Sequence, residues 1–324
     1  MTALRAFGGG LLGVLSSPLV VTVATFAMLL AAMPFALVVG SELQTALSNQ
    51  QPINLDAGEI DAEWWFEYRR HAEGLAATFT PSIIGFAAPL DNLSAILDGT
   101  RRPWILLAPY ALAVVVWAFL WGAALERFAH GSVRLGLWRA GANTFGRFLV
   151  ISLLAAALIV VLYATVHQLL FRIVAPPLES AASTESAAFA LRVALYVIFG
   201  ALLVLTGLIT DYARVVVVET AVRSPFRALR AGAAFAFRHF GATTTLYLLT
   251  GSLFVALLVV YAFVDVYGGS RVGGWRGIAI AQAYIVARLV IRLTFGASEV
   301  RLYRALSDQS ASTPLGNSGP PAAA

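Results

Sequence analysis

Six apolar stretches, each long enough to cross a bilayer, alternate with polar segments along this chain. A helix rises about 1.5 Å per residue, so about 20 apolar residues cross a hydrocarbon core of about 30 Å. The pattern predicts membrane helices over 18–39, 104–125, 148–166, 189–209, 242–264 and 274–295. Ser17 and Pro18 mark the start of the first, as cap and first helical residue, and Pro34 predicts a kink in it. The sixth is interrupted by Arg288 and Arg292.

A second period runs between the spans. In 223–240, Ser224 and Pro225 signal a helix start. Arg223, Arg227, Arg230 and Arg238 then share one face, and Phe226, Leu229, Ala233, Phe237 and Phe240 the opposite one. The stretch 134–149 repeats the design, with Arg139, Asn143 and Arg147 against Trp138, Ala142, Phe145 and Leu149. Both stretches contain Arg-Ala-Gly-Ala, at 139–142 and 230–233, and a looser Arg-Ala-Phe-Gly at 5–8 precedes the first span. The copies stand ahead of spans one, three and five. This placement predicts an internal repeat of one amphipathic arm plus one helical hairpin. Such arms are expected to lie flat at the interface, aromatics in the acyl boundary and guanidinium groups at lipid phosphates. Their first role is anchoring; an anionic phospholipid or a membrane protein partner is the sharper expectation. Gly8, Gly9, Gly10 and Gly13 lower helix propensity in the first arm, and no Gly-Lys-Ser/Thr follows to make them a phosphate loop.

Composition agrees with the pattern. The chain is 59% hydrophobic and 12% charged, with mean hydropathy +0.80, about half the charge of a soluble domain. The expected fold is all-α: a polytopic membrane bundle of six helices, one integral domain over 1–306 with a disordered tail over 307–324. No cysteine is present, which excludes disulfides, thiolate metal sites and a thiol nucleophile. There is no lysine either, so Schiff-base and P-loop lysine chemistry is excluded. The arginines cluster beside apolar spans, which speaks for membrane topology and against nucleic acid. The segment 126–147 holds Arg127, Arg134, Arg139 and Arg147, and 211–242 holds Arg214, Arg223, Arg227, Arg230 and Arg238. Positive-inside then places these segments and both termini in the cytoplasm of a bacterial inner-membrane protein. Arg271 and Arg276 dissent, since they fall on the outer side.

The outer loop 40–103 carries nine acidic residues against four arginines. Asp56, Glu59, Glu63 and Glu67 are spaced to share one helical face, extended by His71 and interleaved with Trp64, Trp65, Phe66 and Tyr68. A cation site is one reading; a wet acidic face on an interfacial helix is the preferred one. The segment 79–90, broken by Pro81, Gly85 and Pro89, suits an interfacial or re-entrant piece.

Charge inside a bilayer is costly and marks function by default. Asp211, Arg214, Glu219, Arg288 and Arg292 therefore form the candidate polar site. Spacing pairs Asp211 with Arg214 and Glu219 with Arg223, and Arg288 is expected to reach Asp211 or Glu219. His167 ends the third span, as a capped interface residue rather than a proton relay.

The run from Glu219 through Ser224–Arg230 into an aromatic-rich stretch and a span resembles a group of bacterial membrane proteins. These are similar to the membrane domain fused to some glycerophosphodiester phosphodiesterases. The resemblance covers mainly 205–265, with an echo at 126–165. It implies the six-helix fold and no enzymatic activity, because the soluble phosphodiesterase barrel and its catalytic residues are absent from this sequence.

No nucleophile elbow, zinc motif or calcium loop occurs in the sequence, so no catalytic residue, metal or cofactor is expected. The expected role is a non-catalytic membrane component that organises lipid or a partner complex. The alternative is a transporter or lipid-handling protein with a polar site between spans four and six.

Overall fold

The structure is a computed structural model, and it describes residues 3–48, 62–79, 87–100, 103–131, 136–268 and 274–312. Ser16 and Ser17 break the first helical run into α1 (Ala3–Leu15) and α2 (Pro18–Ser48), and α2 continues through Pro34. Short helices α3 (Ala62–His71) and α4 (Ala87–Asp98) follow. Then come α5 (Leu107–His130), α6 (Gly136–Leu162), α7 (Ala175–Ser180) and α8 (Glu185–Thr220). The chain closes with α9 (Pro225–Arg238), α10 (Phe240–Gly268) and α11 (Gly274–Ser312). Six helical segments are long and apolar enough to span: Pro18–Ala46, Trp104–His130, Gly136–Ser180, Glu185–Thr220, Phe240–Val264 and Trp275–Asp308. The fold is thus the all-α polytopic bundle that the hydropathy pattern predicts.

The glycines of the repeat have a steric purpose. A Cβ on Gly141 would lie 3.0 Å from the Phe119 carbonyl oxygen, so α6 closes tightly on α5. A Cβ on Gly232 would lie 2.5 Å from the Ala213 amide nitrogen, so α9 closes equally on α8. In α1, Gly10 faces Ser298 of α11, whose amide nitrogen would sit 2.8 Å from an added Cβ. These three packings are the most extensive in the molecule. Between apolar helices in lipid there is little hydrophobic gain, so close van der Waals approach over small residues drives association. Each arm therefore leans on the span before it, and the first arm leans on the last span.

The arms differ from expectation in one respect. The second arm is not a separate helix, since α6 runs from Gly136 straight into the third span. In α9 the inward face is the small-residue stripe Ala228, Gly232 and Ala236, and Phe226 and Phe237 are exposed, as is Phe240 at the start of α10. Sequence reasoning weighted large apolar side chains and overlooked small ones, which are what a helix needs to approach another closely.

Burial concentrates at the arm-bearing end. The main core joins Val14, Val20, Trp121, Leu125, Phe148, Ile151, Val216, Leu293 and Val300. Toward the other end Phe26, Leu37, Val160, Val197 and Val259 face outward, as lipid-facing residues would. There α6 changes to π-helical turns over Tyr163–His167 and Leu169–Val174 before α7, and the span continues past its expected end at 166 to Ser180. His167 is buried, with Nε2 3.0 Å from the Leu97 carbonyl oxygen, which ties the third span to α4. Of the stretch 307–324 expected to be a disordered tail, 307–312 are helical as the end of α11, and the remainder lies outside the described residues.

Candidate functional site

The polar site is built on the C-terminal half of α8. Asp211 and Arg214 stand one turn apart, and Arg214 Nη1 donates to Asp211 Oδ1 at 2.7 Å, with both side chains more than four-fifths buried. Arg214 also donates from Nη2 to Ser152 Oγ at 3.1 Å, which joins α8 to α6. From α10, Tyr247 stands beside Asp211 in the wall of one cavity. The expected Asp211–Arg214 pair is present.

The expected partner of Glu219 is not. Ala221 adopts a left-handed conformation (φ +53°) and ends α8, so Arg223 leaves the helical register that its spacing implied. Arg304 of α11 takes its place, with Nε donating to both Glu219 carboxylate oxygens at 2.8 and 2.9 Å. This bond fastens the end of α11 to the end of α8.

Arg288 pairs with neither Asp211 nor Glu219, contrary to expectation. Its guanidinium lies over the Phe254 and Tyr284 rings, 5.5 and 5.6 Å from their centroids. Arg292 lies 4.0 Å from the Trp117 ring centroid and 5.9 Å from that of Trp121. Aromatic faces hold cations in place without neutralising them. No hydrogen bond or ion pair engages either guanidinium group among the described residues.

Asp211, Arg288 and Arg292 line one cavity of about 700 Å³ between α2, α5, α8, α10 and α11. Its remaining wall is chiefly apolar, from Met28, Leu29, Phe254, Ile285, Leu289 and Phe295, with Tyr247 and Thr250 added. Glu219 and Arg214 do not line it. The sequence placed a site between spans four and six; the structure adds walls from spans one, two and five. The cavity wall therefore carries two guanidinium groups and one carboxyl, and that carboxyl is bonded to Arg214. A second cavity of about 750 Å³, between α2, α5 and α6, has no charged residue in its wall and offers no headgroup chemistry.

One charged residue near this site escaped sequence reasoning. Glu299 is fully buried in α11, and neither carboxyl oxygen has a hydrogen-bond partner among the described residues. It lies within electrostatic range of Asp211 and Arg214. Its position seven residues after Arg292, on the same helical face, was the available signal. The expected cytoplasmic end of the span at 295 hid it.

The outer acidic face falls largely outside the described residues: Asp56 and Glu59 do so entirely, as does most of 79–90, and Glu63 is placed only as part of α3. Glu67 lines a cavity of about 310 Å³ with Glu42, Tyr68 and His71. Tyr68 donates to the Ala76 carbonyl oxygen at 3.0 Å, and burial with the neighbouring Glu42 pushes its phenol above its usual range. Among the described residues no three His, Asp or Glu side chains cluster to hold a metal ion. Of the arm arginines, Arg139, Arg223, Arg227, Arg230 and Arg238 are exposed. Arg147 instead donates to the Val222 and Asn143 carbonyl oxygens and pins the loop between α8 and α9.

Comparison with known protein families, with curated proteins and with solved structures finds no match to this chain.

Proposed function

We propose that this protein binds an anionic amphiphile, a phospholipid or a lipid-like molecule, in the cavity beside Arg288 and Arg292, and handles it without chemistry. The observation that carries the proposal is the cavity itself: an apolar volume the size of a lipid segment, with two ring-held arginines at one wall. An acyl chain suits the apolar side, and an anionic headgroup suits the guanidinium groups. The rival reading, a scaffold for lipid or a partner complex, expects a closed bundle, and the cavity weighs against it. The exposed arm arginines supply a further anionic-lipid surface in this proposal. We place the chain in a bacterial cytoplasmic membrane with both termini inside, on the arginine distribution.

Native mass spectrometry of the purified protein tests the cavity. Arg292→Gln is expected to lower retained anionic phospholipid about tenfold, the loss of ~1.4 kcal/mol typical of one charge-assisted hydrogen bond, and Arg288→Gln to act in the same direction. Lipid retention unchanged in both variants would end the proposal.

A further inference from the structure

A second, smaller site lies at the arm-bearing end, apart from the lipid cavity. A polar recess of about 120 Å³ sits where the α1–α2 turn meets the ends of α5 and the middle of α11. Ser16, Ser17, Arg127, Gly131 and Arg301 line it. The volume is too small for an acyl chain and suits a single phosphoryl group.

Each part has a local cause. Ser17 precedes α2, so the positive end of that helix's dipole faces the recess. Ser17 is only 8% exposed, and its hydroxyl has no partner among the described residues, which leaves a donor aimed into the recess. Ser16 already donates to the Gly13 carbonyl oxygen at 3.0 Å, so it offers lone pairs rather than a proton. Arg127 stands in the last turn of α5, where Gly131 (φ +71°) turns the chain away. The neighbouring Glu126 is turned to His130, with Oε1 3.4 Å from Nδ1, and does not neutralise Arg127.

Arg301 is seated by glycines. A Cβ on Gly9 would lie 2.7 Å from Arg301 Nη1 and 3.2 Å from its Cδ, and one on Gly13 would lie 3.4 Å from Nη2. The glycine run that lowers the helix propensity of α1 thus forms a groove for the arginine side chain. No ion pair or hydrogen bond engages the Arg127 or Arg301 side chain among the described residues. Two cations, the unpartnered hydroxyl of a buried serine and a helix N-terminus converge on one recess without a carboxylate.

We infer that this recess binds a phosphate group, presented by a phosphomonoester lipid headgroup or as free phosphate. It does not depend on the cavity beside Arg292. Delipidated protein in detergent would be titrated with inorganic phosphate and followed by thermal shift, and separately incubated with phosphatidate and followed by native mass spectrometry. Phosphate or phosphatidate is expected to bind, with affinity falling about tenfold in Arg301→Gln and in Ser17→Ala. Arg301→Lys should retain part of the binding, and Arg276→Gln, at the opposite end, should retain all of it. Arg127→Gln, on a different helix, covers the case in which the Arg301 variant does not fold. Loss confined to phosphatidate assigns the site to a headgroup, and loss confined to inorganic phosphate assigns it to the soluble ion. Binding of neither probe, or binding equal in the Arg301, Ser17 and Arg127 variants, overturns the inference.

Discussion

Asp98 shows how much one residue at the end of the bundle away from the arms depends on its neighbours. It ends α4 and accepts hydrogen bonds from Tyr196 at 2.6 Å and Ser94 at 2.8 Å. The Tyr196 bond, then the Ser94 bond, hold its carboxyl below the usual aspartate range. A carboxyl depressed in the folded state adds stability above its unfolded pKa, and loses it as pH falls through the folded value. Thermal stability should therefore decline as pH drops below about 4. Tyr196→Phe should flatten that decline in melts recorded across the acid range, and an unaltered acid slope would show that the bond contributes nothing. The Tyr196 bond was not legible in the sequence, because Tyr196 lies 98 positions from Asp98, whereas Ser94 stands one helical turn away. Local spacing did identify Asp211 with Arg214, where both residues share one helix. It failed for Glu219, because one left-handed residue at Ala221 ended the helix that the spacing assumed.

At the scale of elements, the repeat is a packing device before it is a lipid anchor. Gly141 and Gly232 occupy equivalent places in Arg-Ala-Gly-Ala and let each arm close on the preceding span. Gly10, two residues past the degenerate copy at 5–8, lets α1 close on α11. Gly10→Val should cost about 1–3 kcal/mol or more, because the added atoms meet the Ser298 backbone. Gly8→Ala should instead stabilise by about 0.5–1 kcal/mol, since nothing lies within 4 Å of the added Cβ and helix propensity rises. Unfolding of both variants in the same detergent, compared with the parent, checks the contrast. Equal effects would show that α1 does not depend on close approach to α11. The apolar period gave the arms their existence and approximate ends, but not their inward face, since alanine and glycine carry little weight in a hydropathy pattern.

At the scale of the whole molecule, the arms gather burial at one end of the bundle, and the apolar side chains at the other end face outward. A cavity with Arg288 and Arg292 in its wall lies within that frame. Because the chain has no cysteine, single substitutions can report its orientation. Cysteines replacing Glu67 and Arg230 should label from opposite sides of the membrane, and labelling of both by an impermeant reagent added outside would overturn the proposed topology. Hydropathy alone determined the helical class, the six spans and the presence of arms, because a bilayer demands long apolar helices whose backbone hydrogen bonds are internal. Arginine counts proposed the orientation for the same kind of reason, a bias acting segment by segment. What only the tertiary structure decided was which helix each arm covers, which acid each arginine meets, and that Arg288 and Arg292 rest on aromatic rings around a shared cavity. Those are long-range pairings, set by close approach at glycines and by where helices end, and a linear pattern of polar and apolar residues does not encode them.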